Sequence, residues 1–250
     1  MHARSTYGEA GLPSTGWYGW LALGGVLGPV QFTVAWLVLG ELSTGYTLWN
    51  IRIASYSGIA QPISGLGMGT TAPYMNASFV ALGLLLIAGA VGIFGGIGEL
   101  AVGRRRIGGV LLALPGVGAI LDGLFDLESF FLHFLGFALV LTPIVSFPVL
   151  GRWLRGLPRW RRTGTCLLVA GPLTLVLAVL YFATFDPMTA GEGVGVGGLT
   201  QRILVVELLA WYVVLGWLVF ADARHRQSGA HLRRSDVDGP TVRRAGSVAD

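Results

Sequence analysis

The groups that could do chemistry are concentrated in one stretch. Asp122–His133, reading DGLFDLESFFLH, sets three carboxylates (Asp122, Asp126, Glu128) and a histidine between two apolar runs. Carboxylates at this density beside an imidazole are what general acid–base catalysis or a divalent cation requires. On a continuous helix Asp122 and Asp126, four residues apart, share a face. Like charges so placed repel unless an arginine or a metal lies between them. The plainer reading is a set of solvated residues at the end of a membrane span, where carboxylates cost far less than at mid-membrane. Ser64 offers a nucleophile: with His133 and a carboxylate it has the composition of a catalytic triad, without a GxSxG elbow.

Other chemistries are excluded by residue type. There is no lysine, so no Schiff base forms. Zinc favours His and Cys. The cysteine is Cys166 alone, and His2, His225 and His231 lie in the tails, which leaves His133 as the one histidine between them. No metal and no other cofactor is expected. GVGVGG at Gly193–Gly198 lacks the Lys-Ser/Thr of a phosphate loop and reads as a flexible linker.

Two further ionisable residues lie within an apolar run. Arg202 sits near its start and Glu207 deeper, roughly 13 Å below the end of the span at helical rise. Five residues apart, they point about 140° away from each other. Arg202 is therefore expected to pair with a carboxylate from elsewhere (Asp122, Asp126, Glu128 or Glu41) or to bind an anionic headgroup or substrate. Glu207 reads as a proton site or as a neutral carboxyl hydrogen-bonded to a neighbouring helix.

The elements that position these groups follow from composition. The chain is 53% hydrophobic and 12% charged, with mean hydropathy +0.68; soluble domains carry about 25% charged residues. The apolar residues come in blocks at about 17–39, 75–98, 107–125, 130–150, 165–185 and 199–220. Each is near the ~20 residues that a bilayer requires. The fold class is an all-α integral membrane bundle of six transmembrane helices. Residues 1–16 and the Arg-rich 221–250 are tails expected to be disordered. The abundant glycine, 39 residues, reads as close helix packing, with Gly24/Gly28 and Gly92/Gly96 as two such faces. The loop from Glu41 to Tyr74 is rich in aromatics and is expected to fold at the interface.

All but two of the arginines fall in the N-terminal tail, the second and fourth loops and the C-terminal tail; the exceptions are Arg52 and Arg202. The positive-inside rule then puts both termini in the cytoplasm of a bacterial-type plasma membrane, with the Asp122–His133 turn outside. The same distribution explains the net charge of +4 without nucleic acid. Membrane lipids are the expected partners.

Three segments carry a resemblance. In ISGLGMGTTAPYMNASFVALGLL the residues Ser64, Asn76 and Gly83, in LLALPGVGAILDGLFDLESFFLH the residues Gly123, Leu124, Phe125, Leu132 and His133, and in GLTQRILVVELLAW the residues Gly198, Leu199, Gln201 and Arg202 match a pattern. It is that of the bacterial six-span family catalogued as domain of unknown function 998, which the chain resembles over most of 17–220. Gly65, Asp122 and Asp126 depart from it. The resemblance implies six spans and marks Ser64, Asn76, His133, Gln201 and Arg202 as the polar positions to compare; it implies no activity. The resulting expectation is a non-enzymatic membrane protein whose polar outward end binds a lipid or small molecule at Arg202, Gln201, Asn76, Ser64 or Glu207. The alternatives are an outer-leaflet hydrolase or lipid-modifying enzyme using His133 with Asp122, Asp126 or Glu128, and a proton-coupled carrier using Glu207 and Arg202.

Overall fold

The structure is a computed structural model that describes residues 16–53 and 55–237, with side chains to Ser228. Six helical segments among the described residues are long and apolar enough to cross a bilayer. The first span is α1 (Gly16–Ala22) followed by α2 (Gly24–Leu42). The second is α3 (Ala72–Gly96) and the third α4 (Val102–Leu124). The fourth divides into α5 (Phe130–Val140) and α6 (Pro143–Arg155), because Pro143 lacks the N–H that would carry α5 onward and instead opens a new helix. The fifth is α7 (Arg161–Thr184); a short α8 (Pro187–Gly191) precedes the sixth, α9 (Gly197–Val237). The chain is thus an all-α bundle, as its composition predicts.

Helix α9 continues well beyond residue 220. The tail expected from Ala221 onward is therefore helical to Val237, while residues 1–15 and 238–250 lie outside the described part. Asp222, buried on this extension, holds Arg159 and, at 2.6 Å, Arg226. A helix carrying charge can extend past the hydrocarbon when its own ion pairs and water satisfy it.

Glycine sets the helix spacing. A Cβ on Gly116 of α4 would come within 2.6 Å of the Gly83 carbonyl of α3, so the two backbones touch without side chains between them. Gly118 of α4 and Gly136 of α5 meet in the same way. Gly24 and Gly28 do form a packing face, against Leu82 and Leu85 of α3. Tyr212, fully buried, donates to the Leu112 carbonyl at 2.7 Å and ties α9 to α4.

The bundle has two ends. The end that carries Gly16 and Arg224 is here called proximal, the other distal. At the distal end the first loop folds inward. Its β1 (Tyr46–Leu48) and β2 (Ile51–Ile53) form an antiparallel hairpin turned by Trp49 and Asn50, both at positive φ (47° and 66°). Two such residues are what a two-residue hairpin turn requires. The hairpin is not among the elements expected from the sequence. Beyond it, a 3-10 turn at Ile63–Gly67 plugs the mouth of the bundle, with Gln61, Ile63 and Leu66 buried.

Candidate functional site

The plug brings Ser64 to the third and fourth spans. His133 lies in the first turn of α5, and its Nδ1 is 2.8 Å from the carbonyl of Phe125, the residue that follows α4. A carbonyl only accepts, so Nδ1 carries the proton and Nε2 keeps its lone pair. Ser64 Oγ stands 3.0 Å from Nε2 and donates to it. A hydroxyl hydrogen-bonded to the free nitrogen of a neutral imidazole whose other nitrogen is fixed is the geometry of an activated nucleophile.

Asp122 completes the cluster without joining it by a hydrogen bond. Its Oδ1 lies 3.8 Å from His133 Nδ1, is buried and has no hydrogen-bond partner among the described residues. Gly136 makes room for it: any side chain there would collide with Oδ1. At 3.8 Å a carboxylate does little for a neutral ring and a great deal for an imidazolium, because the attraction appears only with the charge.

Asp126 and Glu128 stand apart. Helix α4 ends at Leu124, so Asp126 is not on the face of Asp122 as a continuous helix would have it. Asp126 Oδ1 instead accepts from the Glu128 and Ser129 amides and shapes the turn into α5, while Glu128 accepts from the Trp49 amide at 3.2 Å. Of the three carboxylates in the stretch, Asp122 comes within 3.8 Å of the imidazole, and Asp126 lies close enough for its charge to act on the ring as well.

Arg202 overturns a second expectation: among the described residues it has no carboxylate partner. Its Nη1 donates to the carbonyls of Gln61 (3.0 Å) and Gly198 (2.9 Å), and Nη2 donates to Tyr56 Oη. The guanidinium lies over Trp36 and Tyr56, 5.1 and 5.7 Å from the ring centroids. A cation can be buried this way when neutral acceptors and aromatic faces replace water. Burial pushes the Tyr56 hydroxyl up from its usual range, and the neighbouring guanidinium partly reverses this. Tyr56, Gln61 and Trp36 are thus site residues that sequence reasoning did not single out. Their nearest signal was the aromatic and amide content of the first loop.

Arg202 fastens the plug to α9, and so do its neighbours. Gly198 and Leu199 donate backbone hydrogen bonds to Ala60 and Ile59, at 3.1 and 2.9 Å. A Cβ on Gly198 would run into Gln61, so the Gly-rich segment ends as a docked helix start and not as a free linker. Gln201 Oε1 accepts from the Ile63 amide at 2.7 Å, which fixes the residue next to Ser64. The Gln201 amide nitrogen, by contrast, donates to no protein atom among the described residues. Asn76, at the start of α3, donates to the Gly67 carbonyl at 3.2 Å and holds the other end of the 3-10 turn.

Glu207 belongs to a different place. Its oxygens accept from Thr174 and Trp211, each at 2.9 Å, clasping α9 to α7. It lines neither of the distal cavities.

Ser64 and Gln201 line both of those cavities. The inner one, about 40 Å³, sits among apolar side chains of the bundle core and includes Asp122. The outer one, about 280 Å³, opens between α5 and α7 and is walled by Phe130, Phe134, Phe137, Tyr181, Phe182 and Phe185, with His133, Ser64 and Gln201 at its polar side. Phe130, Phe134 and Phe182 are exposed on the face that hydrocarbon would cover. Arg202 lines neither cavity. Among the described residues no His, Cys, Asp and Glu cluster could hold a metal ion.

Neither a curated protein nor a solved structure matches the chain. A family model described as "Protein of unknown function (DUF998)" matches residues 26–218. That stretch takes in the second to fifth spans, much of the first and sixth, and every residue of the Ser64–His133–Asp122 cluster, and the chain belongs to this family.

Proposed function

We propose that this multi-pass protein sits in a bacterial plasma membrane with both termini in the cytoplasm, and that its outward end binds an ester-linked diacyl lipid from the outer leaflet. The distal end is the outward one on this reading, because the arginines gather at the proximal end.

The observation that carries the reading is the outer groove. Its wall is aromatic and its polar side chains lie at one level, the first turn of α5 and the start of α9. From Phe130 to Phe137 the wall descends about 10 Å at helical rise. An acyl chain fits such a wall, and the ester at its head then falls at the depth of Ser64, His133 and Gln201. The groove is just below the ~300–1,000 Å³ of typical ligand pockets, in keeping with a ligand held by one chain and its ester while the remainder stays in the bilayer. An anionic headgroup is disfavoured: Arg202 is enclosed, and the charges nearby include the exposed Glu128 and Asp186 and the half-buried Asp126. Nothing favours the carrier reading, since Glu207 is clasped between α7 and α9.

The test is a photoreactive phosphatidylcholine with a diazirine in one acyl chain, incorporated into vesicles with the full chain. Cross-links are expected at Phe130, Phe134 and Phe182 in preference to Val145 and Val176, which are equally exposed on the same two spans. An even spread over these positions refutes the site.

A further inference from the structure

We infer that Ser64 and His133 form a nucleophile–base pair that transfers the acyl group of the bound ester lipid to water. This rests on the lipid reading above and goes beyond it, from holding an ester to cleaving it.

Three observations converge. The first is the hydrogen bond from Ser64 Oγ to His133 Nε2, with Nδ1 fixed by Phe125. The second is location: Ser64 is only half-buried, and it lines the groove where the ester would lie. The third is the pair of groups around the dyad that the fold leaves uncommitted. Asp122 Oδ1 is buried at 3.8 Å from the imidazole with no hydrogen-bond partner among the described residues, and Gln201, whose side chain is held through Oε1 by the Ile63 amide, lines both cavities. A structural Ser–His contact needs neither. A catalytic one uses both: a carboxyl whose ionised form would favour the imidazolium, and a donor for the oxyanion.

The step balances without any oxidant or reductant. Ser64 Oγ attacks the ester carbonyl carbon as its proton passes to His133 Nε2, and the carbonyl π electrons move onto oxygen, where the Gln201 amide is the donor to hand. Collapse restores the carbonyl and breaks the bond to the glycerol oxygen, which leaves with the proton from Nε2. Water then attacks the acyl-serine and gives a proton to Nε2. The fatty acid departs, and Ser64 Oγ recovers its proton from the imidazole. Ester and water become acid and alcohol. Asp122, touching neither ester nor hydroxyl, is a positioning residue that stabilises the imidazolium formed in each half.

The experiment uses the purified full chain in lipid nanodiscs, treated with a fluorophosphonate, which bonds covalently to activated serines. Labelling at Ser64, located by peptide mass, is expected in the wild-type chain. Its rate should fall by about 10²–10⁴-fold in His133→Ala. Fatty-acid release from a fluorogenic acyl ester should follow it, with Asp122→Asn lowering kcat by at least about tenfold at unchanged KM, since the charge acts on the imidazolium and not on the ground state. Because the label is mapped in the wild-type chain, the test stands even where Ser64→Ala fails to fold. No label on Ser64 while the photoreactive lipid still cross-links in the groove overturns the catalytic inference and leaves the binding reading intact. Label on Ser64 at an unchanged rate in His133→Ala overturns the dyad. Loss of both label and groove cross-links overturns the two together.

Discussion

Replacing Arg202 by methionine tests how the distal end is held shut. Methionine keeps most of the length and none of the donors. The substitution removes two charge-assisted hydrogen bonds to buried carbonyls, one to Tyr56, and the stacking of the guanidinium on Trp36 and Tyr56. In a soluble protein each such bond is worth about 1.5–3 kcal/mol, and the cation–π contacts add about 0.5–2 kcal/mol. In a membrane protein the unfolded chain finds other partners, and interhelical hydrogen bonds average only about 0.6 kcal/mol. The two scales run from about 2 to about 11 kcal/mol, and the expected loss, roughly 3–5 kcal/mol, lies toward the membrane end of that range. At about 2–4 °C per kcal/mol, the thermal midpoint should drop by roughly 6–20 °C. Tryptophan fluorescence during heating in detergent reads it out, since Trp36 is part of the site. A double-mutant cycle locates the partner. Arg202→Met with Tyr56→Phe should show coupling of about 0.5–3 kcal/mol, and Arg202→Met with Asp122→Asn should add independently. Coupling to Asp122 and not to Tyr56 would restore the ion pair expected from the sequence and refute the neutral cage.

Three further outcomes follow from particular residues. Gly198→Ala drives a methyl into Gln61 and should cost about 1–3 kcal/mol, measured by the same heating curve, with the first loop becoming more susceptible to protease. Tyr46 lies outside the spans, and burial pushes its hydroxyl up to about 12 from a usual value of 10.0. The folded state therefore gains from the neutral phenol below pH 10 and loses that gain as pH rises towards 12; the midpoint should fall between pH 10 and 12, and less so in Tyr46→Phe. The chain holds seven tyrosines and no lysine, so the comparison with Tyr46→Phe is what isolates this hydroxyl. Orientation is read by removing Cys166 and placing single cysteines. In intact cells a membrane-impermeant maleimide should label Glu192→Cys in the fifth loop and spare Arg155→Cys at the end of α6.

The spans were legible because hydrophobicity alone demands them, and a run of apolar residues without charges has few other fates in water or lipid. Two departures from plain spans have local causes: Pro143 breaks the fourth span into two helices, and the Asp222 ion pairs accompany the extension of the sixth past residue 220. The site was half legible. His133 stood out as an imidazole between apolar runs, and Ser64, Asn76, Gln201 and Arg202 through the resemblance. What could not be read was who faces whom. Asp122 and Asp126 looked paired by spacing, yet the helix stops at Leu124, and one points inward while the other caps a turn. Arg202 looked in need of a carboxylate, because the competing solution, backbone carbonyls delivered by a loop far away in sequence, leaves no pattern in side-chain types.

That loop also explains why the polar residues cluster where they do. Ser64 lies on a 3-10 turn, not on a helix of the bundle, and its position is borrowed from others: Gln201 holds Ile63, Asn76 holds Gly67, Arg202 holds Gln61 and Gly198 holds Ala60. Each anchor is a polar side chain or a bare backbone on a span, satisfying a carbonyl or amide that would otherwise be buried unpaired. The cost of those unpaired groups fixes the plug in one register. In that register the serine stands at the imidazole, and a shift of one residue would point Ile63 or Gly65 there instead. The residues that look structural and the residues that look chemical are therefore one device. The anchors belong in any search for the function, because loosening any of them should move Ser64 away from His133 before it unfolds the bundle.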